Sequence, residues 1–129
     1  RKNLGLQLPG PQQAVMVDVL ADDAHVAEQK DRYRRRRDAL RTALEASGHT
    51  VDHSEAGLYL WTRRADLDPA DATAQDSWDL LGDLADLGII AGPGVFYGGD
   101  GYVRVAITAT DEAVARAAAR LTARGPRTG

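Results

Sequence analysis

The run Tyr102-Val103-Arg104-Val105-Ala106-Ile107-Thr108 places an apolar side chain at every second position. Successive side chains of an extended strand point to opposite faces, so this pattern commits the chain to a sheet with one buried face. Val103, Val105 and Ile107 share the core face. Arg104 projects from the other side, between the small neighbours Ala106 and Thr108.

The rest of the chain supplies partners for that face. Pro11 suits the first turn of a helix running to Ala21, and Asp22-Asp23 supply a turn and an N-cap. A long helix over 24–47 follows, with Gly48 as its stop. Its apolar stripe is narrow: Val26, Tyr33 and Leu40, with Ala43 and Leu44 beside them. Glu28→Arg32 and Asp31→Arg35 are acid-before-base pairs at the supporting spacing. Two short strands, 50–53 and 58–62, flank a turn at 54–57. A polar loop over 63–74 leads to a helix over 75–87, with Trp78, Leu81, Leu84 and Ala85 inward. Ile89-Ile90-Ala91 reads as a short buried strand, and 92–101 as a glycine-rich loop. Thr110 caps a last helix whose inward face is Val114, Ala117, Ala118 and Leu121. The order lacks regular βαβ alternation. It predicts an α+β fold: a small, mostly antiparallel sheet with helices packed on one face, preceded by a long helix.

Composition narrows the function. The chain has 129 residues and a net charge of −3, which argues against nucleic acid as a partner. No apolar run approaches the ~20 residues needed to span a bilayer, so no membrane partner is expected. Cysteine is absent, which removes disulfides, thiolate catalysis and zinc–cysteine sites. With no apolar leader behind Arg1-Lys2-Asn3, a cytoplasmic location is expected. The single methionine is Met16, and a fragment of a longer protein is the expectation.

Among candidate sites Arg104 is the sharpest. A guanidinium offers a planar fork of donors suited to bidentate capture of a carboxylate, although an ordinary exposed strand arginine gives the same pattern. Gly92-Pro93-Gly94-Val95-Phe96-Tyr97 begins like a dinucleotide fingerprint, but its sixth position is Tyr97, and no Gly-Lys-Ser/Thr follows. Turn chemistry explains these glycines better. Arg34 to Arg37 wraps around a helix and reads as a solvated surface. His49 and His53 lie roughly 13 Å apart on an extended strand and cannot chelate one ion together, so no metal site is expected. Ser54 and Ser77 lack a glycine elbow. Trp61, Trp78 and Tyr59 read as core or interface filler.

Taken together, several of these segments resemble a known family. Pro9-Gly-Pro-Gln-Gln-Ala14, the charged helix Glu28 to Leu40, Ala56-Gly-Leu-Tyr-Leu-Trp61, and Gly92-Pro-Gly-Val-Phe96 followed by Val103-Arg-Val-Ala106 are similar to the C-terminal part of class I/II aminotransferases. The resemblance covers about residue 1 to Leu121. Lys2-Asn-Leu-Gly5 and the segment 52–60 look like N-succinyldiaminopimelate aminotransferases of lysine biosynthesis.

The resemblance implies that Arg104 binds the substrate α-carboxylate, with Gly92, Gly94 and Phe96 on a loop near it. It implies residues 1–23 as the end of a large domain or its connection, 24–124 as the small domain, and 125–129 as a tail. It also implies pyridoxal 5'-phosphate, amino-acid and keto-acid substrates, the chain's own large domain as partner, and a homodimer. One departure matters. The family holds its cofactor through a lysine in a Ser-x-x-Lys or Ser-Lys setting, and this chain has only Lys2 and Lys30, neither in that setting. No catalytic or cofactor-binding residue is therefore expected here, and the chain alone is expected to be inactive. The alternative is a non-catalytic α+β module for small-molecule binding or oligomerisation.

Overall fold

The computed structural model describes Gly5 and residues 8–126. The expected lead-in over Lys2-Asn-Leu and the end of the expected tail lie outside the described residues. The chain divides into two compact units between Arg32 and Tyr33.

In the first unit, helix α1 (Gly10–Ala21) follows Pro9 and carries Pro11 in its first turn. Helix α2 (Asp23–Ala46) begins here. Asp22 caps it, its Oδ1 accepting the N–H groups of Ala24 at 3.0 Å and His25 at 3.3 Å. Hydrogen bonding to His25, chiefly from its backbone, holds the Asp22 carboxyl below the usual carboxylate range. Arg32 reaches Glu28 at 3.0 Å, the expected i,i+4 pair.

The second unit holds the sheet. Strand β1 (His49–Asp52), β2 (Tyr59–Arg64), β3 (Gly92–Pro93) and β4 (Tyr102–Ala106) stand in the order β1-β2-β4-β3 with every pairing antiparallel. Helix α3 (Ala74–Asp86) connects β2 to β3, and α4 (Asp111–Arg124) closes the chain. Leu40, Ala43 and Leu44 from α2, Leu80 and Leu84 from α3, and Val114 and Leu121 from α4 are buried. They form one core with Val51, Leu60, Val103, Val105 and Ile107. The expected α+β architecture is present, with Val103, Val105 and Ile107 inside.

The helix ends follow their capping residues. Gly48 turns at φ +85° just beyond α2. Thr73 and Asp76 form a reciprocal capping box at the start of α3. Thr110 accepts the Ala113 N–H at the start of α4.

Several expectations shift. No strand forms over 89–91: Ile89 is buried, but Ile90 is 94% exposed. The edge strand lies instead at Gly92–Pro93, where it pairs with β4. An apolar doublet looks like a strand, but Ile89 alone turns into the core and the pairing with β4 begins only at Gly92. On α3 the buried stripe is Ser77, Leu80 and Leu84, whereas Trp78 is 44% exposed. Ser77 Oγ lies 3.5 Å from the Gly99 carbonyl. The helix approaches loop backbone there, and a serine fits where an indole does not. Strand β2 runs two residues past its expected end, and β1 ends before His53, whose φ is +48°.

The arginine run is not simply solvated. Arg36 pairs with Asp111 in the first turn of α4. Arg37 donates from Nη2 to the Gly57 carbonyl at 2.6 Å, fastening the β1–β2 turn. Ser54 supports that turn from inside, donating to the Asp52 carbonyl at 2.8 Å and accepting the Trp61 N–H at 3.0 Å.

Candidate functional site

The face of the sheet opposite the helices carries the site. Across the four strands, Asp52, Trp61, Arg104 and Gly92 stand in register as one row. Arg104 occupies an inner strand, so its backbone is held by ladders on both sides.

Two tyrosines flank its guanidinium. The Arg104 Cζ lies 4.1 Å from the centre of the Tyr59 ring and 4.0 Å from that of Tyr97. At such distances a ring must present its face, because an edge-on approach would collide. Tyr59 comes from β2 and Tyr97 from beside β3, the strands on either flank of β4. Among the described residues the Arg104 guanidinium makes no ion pair or hydrogen bond.

The glycines explain how Tyr97 gets there. Tyr97 ends a 3₁₀ turn over Gly94–Tyr97 that follows β3 directly. A Cβ on Gly94 would lie 2.5 Å from the Tyr102 carbonyl oxygen and would also collide with that of Gly99, so only glycine lets the turn sit against β4. A Cβ on Gly92 would meet the Tyr97 ring and hydroxyl at 3.4 Å. The Tyr97 ring thus lies beside Gly92, at ordinary contact distance from where a Cβ would stand.

Asp52, the acid in the row, is already engaged. Its Oδ2 accepts Arg63 Nε at 3.0 Å and the Tyr102 hydroxyl at 2.9 Å. Burial first, and then the Asp52 carboxylate, raise the Tyr102 phenol above its ordinary range. Tyr102 also stacks on Trp61, with ring centres 4.9 Å apart and planes 9° apart, and Trp61 meets Tyr97 edge-on at 6.4 Å. The face is thus an aromatic floor with the Asp52 carboxylate engaged at its rim and, among the described residues, the Arg104 guanidinium without a polar partner.

Arg104 and Gly92 come together as the sequence suggested. Gly94 is buried beneath the same turn. Phe96 turns away: it is 69% exposed and packs edge-on against Trp78 at 5.7 Å. Its neighbour Tyr97 takes the place beside Arg104. Tyr59, read as filler, and Tyr97, read only as a break in a glycine fingerprint, are the residues that sequence reasoning missed. The usable signal was alternation: Tyr59 and Trp61 share the outward face of β2.

The model of the family described as aminotransferase class I and II matches residues 2–121. The chain belongs to that family. It is 53% identical over 124 residues to the 4-dedimethylamino-4-oxo-anhydrotetracycline transaminase OxyQ of Streptomyces rimosus, covering 95% of this chain and 32% of that protein. It is 36% identical to the LL-diaminopimelate aminotransferase of Oleidesulfovibrio alaskensis, over 85% of this chain and 27% of that one. The solved structure of YbdL from Escherichia coli, titled as having a methionine aminotransferase function, superposes with a TM-score of 0.70 at 24% identity, over 95% of this chain and 32% of its own. The chain spans 32% of the length of the first of these relatives and 27% of the second.

Class I/II aminotransferases generally depend on pyridoxal 5'-phosphate. The residues of this segment do not fit that cofactor. Lysine is absent from the whole of the second unit, and Lys30 is exposed on α2 in the first. Lys2 lies outside the described residues.

Proposed function

We propose that this segment is the substrate-carboxylate-binding part of an aminotransferase whose preceding region holds pyridoxal 5'-phosphate. Arg104 grips the α-carboxylate of the amino-acid or keto-acid substrate. The observation that carries this reading is a guanidinium on an inner strand, bracketed by two tyrosine rings and, among the described residues, with no acid partner. A fork of donors held in one plane suits a bidentate carboxylate. Holding the substrate in this way converts binding into orientation, which can supply a large part of a barrier.

The reaction we propose is transfer between N-succinyldiaminopimelate and 2-oxoglutarate in lysine biosynthesis. The relative named for LL-diaminopimelate supports the substrate class. OxyQ, named for a 4-oxo-anhydrotetracycline, shares more identity, and the amino acceptor is set outside this segment. What such enzymes can share here is the carboxylate of the amino donor. Residues 1–23 end the large domain or its connection, 24–124 form the small domain, and 125–129 form a tail. The segment carrying Gly92, Gly94 and Phe96 moves with Arg104 when the small domain closes on substrate and excludes water. The full-length enzyme works as a cytoplasmic homodimer, and this segment alone is inactive.

Arg104→Ala in the full-length enzyme tests the assignment. Removing one partner of a buried charge pair costs about 2–5 kcal/mol, so kcat/KM falls by roughly 30-fold to several thousand-fold. A loss under about threefold, with the fold intact by circular dichroism, removes Arg104 from this role.

A further inference from the structure

We propose that Tyr59 and Tyr97 determine which anion Arg104 accepts, by forming a slot that admits a planar carboxylate and turns away a tetrahedral anion. The proposal rests on Arg104 being the anion-binding residue and adds the source of its selectivity. With a ring centre 4.1 Å and another 4.0 Å from Cζ, one from each flank of β4, the two rings bracket the guanidinium. In the slot we propose, its donors are reached through the gap between the rings. A carboxylate presents both oxygens in one plane. A phosphonate or sulfonate carries a third oxygen out of the plane, toward one of the rings, where it loses hydration and faces the negative π cloud.

The slot is set by backbone as well as by the rings. The Tyr97 ring lies against Gly92 of β3, and Gly94 lets the turn that carries it sit against β4. Trp61 meets Tyr97 edge-on from the β2 side and limits its sideways travel. The Tyr102 hydroxyl and Arg63 engage Asp52, so the one acid in the row does not compete for the guanidinium. Tyr59 and Tyr97 are therefore positioning residues. They act through Arg104 by restricting the approach to it.

The experiment compares two probes by calorimetry on the full-length protein: glutamate, and the analogue with a phosphonate in place of the α-carboxylate. The readout is the ratio of their dissociation constants. The unaltered protein favours the carboxylate by on the order of tenfold or more, about what a desolvated contact between cation and ring is worth. Tyr59→Leu and Tyr97→Leu each move the ratio several-fold toward parity, and the Phe variants restore it. Arg104→Ala loses both probes. A ratio unchanged in both Leu variants, with Arg104→Ala still losing both probes, overturns the slot and leaves the arginine's role standing. Undiminished binding of both probes to Arg104→Ala overturns the slot and the arginine's role together. Both tyrosines are about half exposed, so these changes leave the core intact; the Met variants replace any Leu variant that folds poorly.

Discussion

Trp61 packs its indole directly against the α-carbon of Gly99, in the space that a side chain there would need. The same indole stacks on Tyr102 and stands opposite Arg104 in the β2–β4 register. The loop before β4 is therefore shaped by the residues of the site.

Gly99→Ala forces the indole or the loop to move, and overpacking of this kind costs about 1–3 kcal/mol. Gly94→Ala should cost more, because its added carbon meets two backbone carbonyls rather than a side chain. Urea unfolding of the two variants checks the order. Equal midpoints for both, matching the unaltered chain, contradict it.

Arg104→Lys keeps the charge and loses the fork. An ammonium is a point donor that cannot hold two carboxylate oxygens in one plane or stack between two rings. In the full-length enzyme the expected kcat/KM is closer to that of Arg104→Ala than to the original, and steady-state kinetics decide it.

His49 gives a pH dependence of stability. It is buried at the start of β1, with Nδ1 2.9 Å from Ser47 Oγ and 3.2 Å from the Leu44 carbonyl. Burial pushes its pKa below the ordinary value, and nearby Arg124 and Arg64 add to this, while the Leu44 carbonyl and Asp83 oppose it. The unfolded chain then takes up a proton that the folded chain resists. Stability is present above about pH 6.5 and declines as pH falls from there toward the lowered pKa. His49→Gln should flatten that part of the profile in urea melts at about pH 7.5 and about pH 5.5.

Tyr102 acts at the alkaline end. Its raised pKa means the folded chain keeps a proton that the unfolded chain gives up above about pH 10. Stability held below that pH is lost as pH rises through the folded value. Tyr102→Phe removes the hydrogen bond to Asp52, costs about 1 kcal/mol near neutrality, and loses the alkaline decline that belongs to this residue. Thermal melts at about pH 8 and about pH 11 compare the two.

Alternation and capping made much of the fold legible. Val103, Val105 and Ile107 declared the core face of β4, and Asp22, Gly48 and Thr110 marked helix ends, because each acts through its own backbone neighbourhood. Arg104 was legible for the same reason. Ser77 was not, since its burial depends on how closely α3 approaches a loop distant in sequence. The tyrosine clamp was hidden because Tyr59 and Tyr97 meet Arg104 only after β4 inserts between β2 and β3. Phe96 and Tyr97 differ by one step along a 3₁₀ turn, and composition alone does not say which of two adjacent aromatics faces inward.

The sheet ends, beside Arg104, on a strand of only two residues, the second of them a proline. Proline has no N–H to offer a newcomer, and two residues give too short a template for another chain to zip onto. The margin next to the face that carries Arg104 is thus sealed against stacking of one molecule on another, and concentrated protein should resist fibrous association along that border.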